Sequence, residues 1–154
     1  MTKLNLGCGR DKREGYVNID ASDEAKPDLT LNIEFDRLPY EDGTVEEVLA
    51  YNVLEQISCP RHFVNVMNEL WRVVKTGGRL LVRVPNAEHI CAFQDPMDVM
   101  RFTENSFDYM AFRNKRYEEF GQVYGFKPWV VNVAKGDGKT TSEGQLLVKL
   151  QPVK

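Results

Sequence analysis

The sequence predicts an α/β protein built on a mostly parallel sheet, and three observations carry the prediction. Short apolar runs bounded by turn residues recur at Lys3 to Leu6, Tyr16 to Ile19, Leu29 to Ile33, Val45 to Tyr51 and Arg79 to Val84. One strongly amphipathic segment, Pro60 to Lys75, separates the last two. It returns to the next run through Gly77-Gly78, a short helix-to-strand connection. With 154 residues, such a chain buries roughly 70% of its unfolded surface. No repeat or Pro/Ser-rich linker divides it.

The elements follow in order. The first run stops at Gly7-Cys8-Gly9 and the second closes on Asp20, eleven residues after Gly9. In the helix, Phe63, Val66, Met67, Leu70, Val73 and Val74 recur at three and four residues. Ser58 or Cys59 can cap it, Pro60 suits its first turn and Gly77 the position after its end. Residues 93 to 126 hold nine of the sixteen aromatics at irregular spacing, which predicts two or three short helices. These serve as a satellite core, as a lid or substrate wall, or as both. Trp129 to Val133 and Gln145 to Leu150 read as a long hairpin. Its loop contains "GDGKT", but the glycine that a phosphate loop requires is Val133 and no helix follows Thr140, so a nucleoside-triphosphatase is disfavoured.

The totals exclude several classes. Net charge is −3, which offers no overall electrostatic footprint for nucleic acid. Arg113, Lys115 and Arg116 form a local exception, either a solvated helix face or a polyanion site. Cys8, Cys59 and Cys91 are an odd count without a CxxC pair, so neither a disulfide framework nor a zinc ribbon is expected. No stretch approaches the roughly 20 apolar residues of a membrane span. The chain enters its first strand at once, with no signal peptide, so a cytoplasmic protein is expected.

The glycine turn and Asp20 carry the chemistry. Glycines at a strand end let a ligand approach the backbone amides, and a carboxylate ending the next strand can accept from vicinal ribose hydroxyls. A dinucleotide would need a third glycine opening a helix, with the acid about 20 residues on. Here Arg10-Asp11-Lys12 follow Gly9 and the acid comes early. A nucleoside without phosphates fits better, and a nicotinamide-dependent oxidoreductase is disfavoured.

Beside "LNLGCG" and "YVNID", the stretches "LPYEDGTVEEVLAYNVLEQI" and "NELWRVVKTGGRLLVRVPN" resemble class I S-adenosylmethionine-dependent methyltransferases, in particular the small type 11 branch. The likeness runs from residue 3 to about 86 and more loosely through "DPMDVMRFTENSFDYM". It implies a Rossmann-like, mostly parallel seven-stranded sheet with helices on both faces. The form expected is minimal, with the first helix shortened or absent and no N-terminal cover. Residues 1–154 would make a single methyltransferase-like domain, with 86–126 as a lid or substrate-side insertion. The implied cofactor is S-adenosylmethionine. Leu6, Gly7, Cys8 and Gly9 would line its methionine part, Asp20 with Ala21 its ribose, and Asn32 and Ile33 its adenine. Asn52 and Val53 would lie near its amino-acid end. The family places an aspartate where Asn32 stands, and an amide oxygen can still accept there.

Two departures bear on catalysis. The family's "HVLEH" reads Asn52-Val53-Leu54-Glu55-Gln56, and its "DPTH" reads Asp95-Pro96-Met97-Asp98, so the usual imidazoles are gone. Methyl transfer from a sulfonium requires alignment and no catalytic nucleophile. Where a base is needed, the candidates are Glu55, His89, Asp95 and Asp98. His89 is equally well a surface residue, His62 reads as solvated, and no metal site is expected. The resemblance thus points to methyl transfer onto an unidentified acceptor, a small molecule in preference to a macromolecule. The alternative is a non-catalytic module that binds S-adenosylmethionine or S-adenosylhomocysteine. Pairing of two copies would help to close the cofactor mouth.

Overall fold

In the computed structural model, which describes residues 1–136 and 143–154, seven strands form one sheet in the order β3-β2-β1-β4-β5-β7-β6. They are β1 (Thr2–Leu6), β2 (Val17–Asp20), β3 (Leu29–Thr30), β4 (Val45–Tyr51), β5 (Val74–Pro85), β6 (Trp129–Lys135) and β7 (Gln145–Pro152). The pairings among β1 to β5 are parallel. β7 runs antiparallel to both β5 and β6, so the sheet is mixed. The closing hairpin is present as expected. Of its "GDGKT" run, only Gly136 lies among the described residues.

The helix α1 (Pro60–Val73) starts where its proline predicts and ends before the expected Lys75. Val73 and Val74 are β-branched and fully buried, and Val74 leaves the helix in an extended conformation to pair with Val45. β5 therefore begins before Gly77-Gly78, and the extra residues appear as a register shift between Val45 and Glu47.

α1 buries Phe63, Val66, Met67, Leu70 and Val73 on one face of the sheet. There they join Leu4, Leu6, Val48, Ala50, Leu80, Val82, Leu146 and Val148. Phe102, Phe107 and Phe126 extend the same core, with Phe63 to Phe102 at 5.4 Å and Phe102 to Phe107 at 5.5 Å between centroids. The aromatic segment is thus a satellite core. It is built from 3-10 turns at Ile90–Phe93 and Glu104–Met110, a π turn at Tyr117–Gly121 and the short α2 (Gln122–Tyr124). In that segment Arg116 pairs with Asp108 at 2.8 Å and Lys115 with Glu119 at 3.6 Å, as a solvated helix face would.

Helices on both faces are not what the chain builds. Besides α1 the described residues hold one other helical run longer than two turns, over 115–124, whose Tyr117 joins the α1 side of the core, and the β1–β2 connection contains turns only. That connection lies over the opposite face, where Asn5 Nδ2 donates to the Asp11 carbonyl at 2.8 Å and the Arg13 N–H donates to Asn18 Oδ1 at 2.8 Å. Beyond it, over β5, β7 and β6, this face stays open: Leu81, Arg83 and Leu147 are half-buried, and Lys149, Asn132 and Ala134 are exposed. The physical reason is in the strands. A parallel strand covered on both sides is a continuous apolar run, whereas β5 alternates Arg79, Leu81 and Arg83 outward with Leu80, Val82 and Val84 inward.

Candidate functional site

A cleft of about 270 Å³ opens beyond the carboxyl ends of β1 to β4, where open α/β sheets hold ligands. Leu6, Gly7, Asp20, Ala21, Asn32, Ile33, Asn52 and Val53 line it. Two residues expected there do not. Cys8 is buried inside the turn with its N–H bonded to the Ile19 carbonyl at 3.0 Å, and burial followed by the Asp20 charge pushes its thiol up. Gly9 sits behind Asp20, donating its N–H to Asp20 Oδ2 at 2.8 Å.

Gly7 has φ +59°, and a Cβ there would lie 2.5 Å from Val53 Cγ2, so no other residue leaves the cleft wall in place. Asp20 Oδ1 accepts the Ser22 N–H at 2.9 Å, which fixes the carboxylate at both oxygens. Asn52 follows β4 in a left-handed conformation, φ +56°, and donates its N–H to the Arg83 carbonyl at 2.8 Å. Asn is among the few non-glycine residues that take this conformation readily. Asn32 Oδ1 accepts the Glu34 N–H at 3.0 Å, which closes the turn after β3.

The cleft also includes Ile19, Leu31, Glu34, Gln56 and Ile57, which sequence reasoning missed. Ile19 and Leu31 neighbour the expected residues Asp20 and Asn32 at strand exits, and that adjacency was the available signal. Glu34 had none, because its partners are distant in sequence: Oε1 accepts from the Ser58 N–H at 3.0 Å and contacts His62 Nδ1 at 2.6 Å. Burial raises the Glu34 carboxyl, but the hydrogen bonds from Ser58 and His62 outweigh it and hold the group below its usual range. His62 is accordingly no free surface group. It ties the first turn of α1 to the β3 exit, with Phe35 edge-on at 5.3 Å.

None of the expected proton-transfer candidates lines the cleft. Glu55, in the 3-10 turn Leu54–Gln56 after β4, is 2% exposed. Burial, then the Asp98 and Asp95 charges, push its carboxyl up to about 7. Its Oε2 has no hydrogen-bond partner, and its backbone carbonyl accepts from the N–H groups of both Val99 and Met100 at 2.8 Å. Asp98 is raised by burial and by Asp95, against the lowering effect of the Gln56 side chain, and Gln56 does reach the cleft. The three acids are thus gathered behind the cleft floor. His89 stands apart from that arrangement as the cap of the Ile90–Phe93 turn, its Nδ1 accepting the Cys91 N–H at 3.2 Å. Among the described residues no group of His, Cys, Asp and Glu is arranged to hold a metal ion.

Residues 4–82 match the methyltransferase domain family. No curated protein matches the sequence. Among solved structures, a SAM-dependent methyltransferase from Archaeoglobus fulgidus aligns with TM-score 0.69 and 14% identity, over 97% of this chain and 85% of that one. A SAM-dependent methyltransferase from Methanosarcina mazei aligns with TM-score 0.63 and 15% identity, over 99% and 93%. The complex between the Haloferax volcanii Trm112 methyltransferase activator and the putative methyltransferase contains a chain with TM-score 0.63 and 18% identity, over 99% and 83%. These likenesses establish the fold.

Proposed function

Since the chain belongs to the methyltransferase domain family, as a class I enzyme that depends on S-adenosylmethionine, we propose that the cleft beyond β1 to β4 holds that cofactor and presents its methyl group to a small-molecule acceptor. The observation that carries this reading is the joining of the glycine turn to Asp20 through the Gly9 N–H. Each Asp20 oxygen accepts one backbone N–H, and each retains lone-pair capacity for one of two vicinal ribose hydroxyls. Leu31, Ile33 and Ile57 give the adenine apolar walls. Asn32 keeps its amide N–H₂ for a ring nitrogen while its oxygen closes the turn. Gly7, Asn52 and Val53 bound the methionine end.

When bound, S-adenosylmethionine supplies an electrophilic methyl on a sulfonium. The chain's part is to align the acceptor in line with that bond and to exclude water. Residues 86–126 serve as the acceptor wall in this reading. Their Asp95 to Met100 stretch is fixed to the β4 exit by the two bonds to the Glu55 carbonyl; Met97 is exposed on it and Phe93 just before it. A cytoplasmic setting goes with three cysteines that stay thiols; no helix among the described residues is long and apolar enough to cross a membrane.

Thermal shifts with S-adenosylhomocysteine and with NAD test the cofactor reading, and stabilisation by NAD alone would overturn it. For the acceptor, the protein is incubated with methyl-labelled S-adenosylmethionine in a fractionated cell extract. Label is expected in the small-molecule fraction, and label confined to RNA or protein would sink the small-molecule assignment.

A further inference from the structure

The open face of the sheet has an ordered chemical pattern. In one row across it stand Tyr51, Arg83, Leu147 and Ala134, each in register with the next. In the neighbouring row Leu81 is in register with Lys149. A shallow depression of about 280 Å³ lies between Tyr51, Leu81, Ala134 and Leu147. The face is also charged against the sign of the whole chain. Lys3 and Arg79 flank Glu47 in register, and Arg13, paired with Asp11 at 2.8 Å, lies over Tyr51, so with Arg83 and Lys149 five cations meet two carboxylates, where the chain as a whole is −3. Glu47 is already engaged by Tyr16 and Arg79. Among the described residues, neither Arg83 nor Lys149 has a carboxylate partner, and the buried Arg83 Nε has no hydrogen bond.

We propose that this open face, an aliphatic floor between Arg83 and Lys149, docks an acidic amphipathic helix of a partner protein. A sheet face is completed by a helix that lays an apolar stripe on it, and carboxylates on the edges of that stripe would meet the two unpaired cations. The charge pattern selects this occupant. A second copy of the chain would set the same cations against each other. Single-stranded nucleic acid needs free aromatic platforms, whereas the Tyr51 ring already carries the guanidinium groups of Arg83 at 4.8 Å and Arg13 at 5.4 Å.

The test uses the full chain, methyl-labelled for NMR, and three probes. One is a stapled helical peptide about five turns long with leucines at i, i+3, i+4 and i+7 and glutamates on both edges. The second has lysine at every glutamate, and the third is oligouridylate. The acidic peptide is expected to shift the Leu81, Leu147 and Ala134 methyls and to bind more weakly as salt rises, while the lysine peptide leaves them unmoved. Arg83→Glu and Lys149→Glu should each weaken binding at least tenfold. Lys149 is exposed, so its variant keeps the fold, and an unchanged melting temperature checks this. The proposal is overturned if the methyls do not move, if both peptides bind alike, or if oligouridylate binds this face more tightly. Concentration-dependent shifts of the same methyls in the protein alone would assign the face to self-association and overturn it too.

Discussion

The Gly9 N–H donates to Asp20 Oδ2 at 2.8 Å, so the glycine turn after β1 and the acid ending β2 are one hydrogen-bonded unit. The carboxylate is thereby oriented by the turn that shapes the opposite side of the cleft, and a change at either end is felt at both.

Replacing Asp20 tests that unit. Asp20→Ala removes a charge-assisted acceptor, worth about 1.5 to 3 kcal/mol, and strands the N–H groups of Gly9 and Ser22. S-adenosylhomocysteine binding should weaken at least roughly tenfold by calorimetry. Asp20→Asn keeps one acceptor oxygen and should lose less. Equal affinities for wild type and both variants would remove Asp20 from the site.

Gly7 sets the second prediction. In Gly7→Ala the new Cβ meets Val53 Cγ2 at 2.5 Å, and a left-handed alanine costs about 1 to 2 kcal/mol. Val53 lines the cleft, so relief pushes it into the space for the ligand, and affinity falls along with stability. Adding Val53→Ala relieves the contact but not the backbone strain. The double variant should therefore recover binding more fully than melting temperature, and the opposite order would count against this account.

Much of this was legible in the sequence because it is local. The runs at β1, β4, β6 and β7 are apolar and bounded by turn residues, and Asp20 follows its strand directly. Two features were not read. Glu34 and His62 meet across 28 residues of sequence, and neither position alone signals the other. The open face did leave a signal, in Arg79 and Arg83 of β5 and Lys149 of β7 at positions that alternate with apolar ones. A resemblance to doubly covered folds overrode it. Cys8 was misplaced for a physical reason: it stands between two positive-φ glycines, a geometry whose middle side chain faces cleft or core according to packing, and here burial takes it inward.

Gly121 carries the third prediction. It sits in the π turn against the Tyr109 carbonyl, and a Cβ there would overlap that oxygen and crowd the Tyr117 ring. The backbone of the Glu104–Met110 turn would have to shift, which loosens the stacking of Tyr109 on Tyr124 at 5.9 Å. Gly121→Ala should cost on the order of 1 to 3 kcal/mol, as overpacking does. Circular dichroism melting would show it. Cofactor affinity at a temperature where the variant is folded should change less than twofold, because this segment lies outside the cleft lining.

Glu55 gives the pH dependence. Burial and the neighbouring Asp98 and Asp95 charges raise its carboxyl from 4.5 to about 7, so the folded state binds a proton that the unfolded chain releases earlier. Stability is therefore greatest below the unfolded value and declines as pH rises through the interval from 4.5 to about 7. At roughly 1.4 kcal/mol per unit, the loss is on the order of 3 kcal/mol. Glu55→Gln cannot ionise and should flatten that part of the profile, leaving the variant more stable than wild type at pH 8 and no more stable at pH 4. Since Glu55 does not reach the cleft, S-adenosylhomocysteine affinity at neutral pH should change less than threefold. Urea melts across pH 4 to 8 decide the matter, and an unchanged slope in the variant would mean that another group titrates in this window.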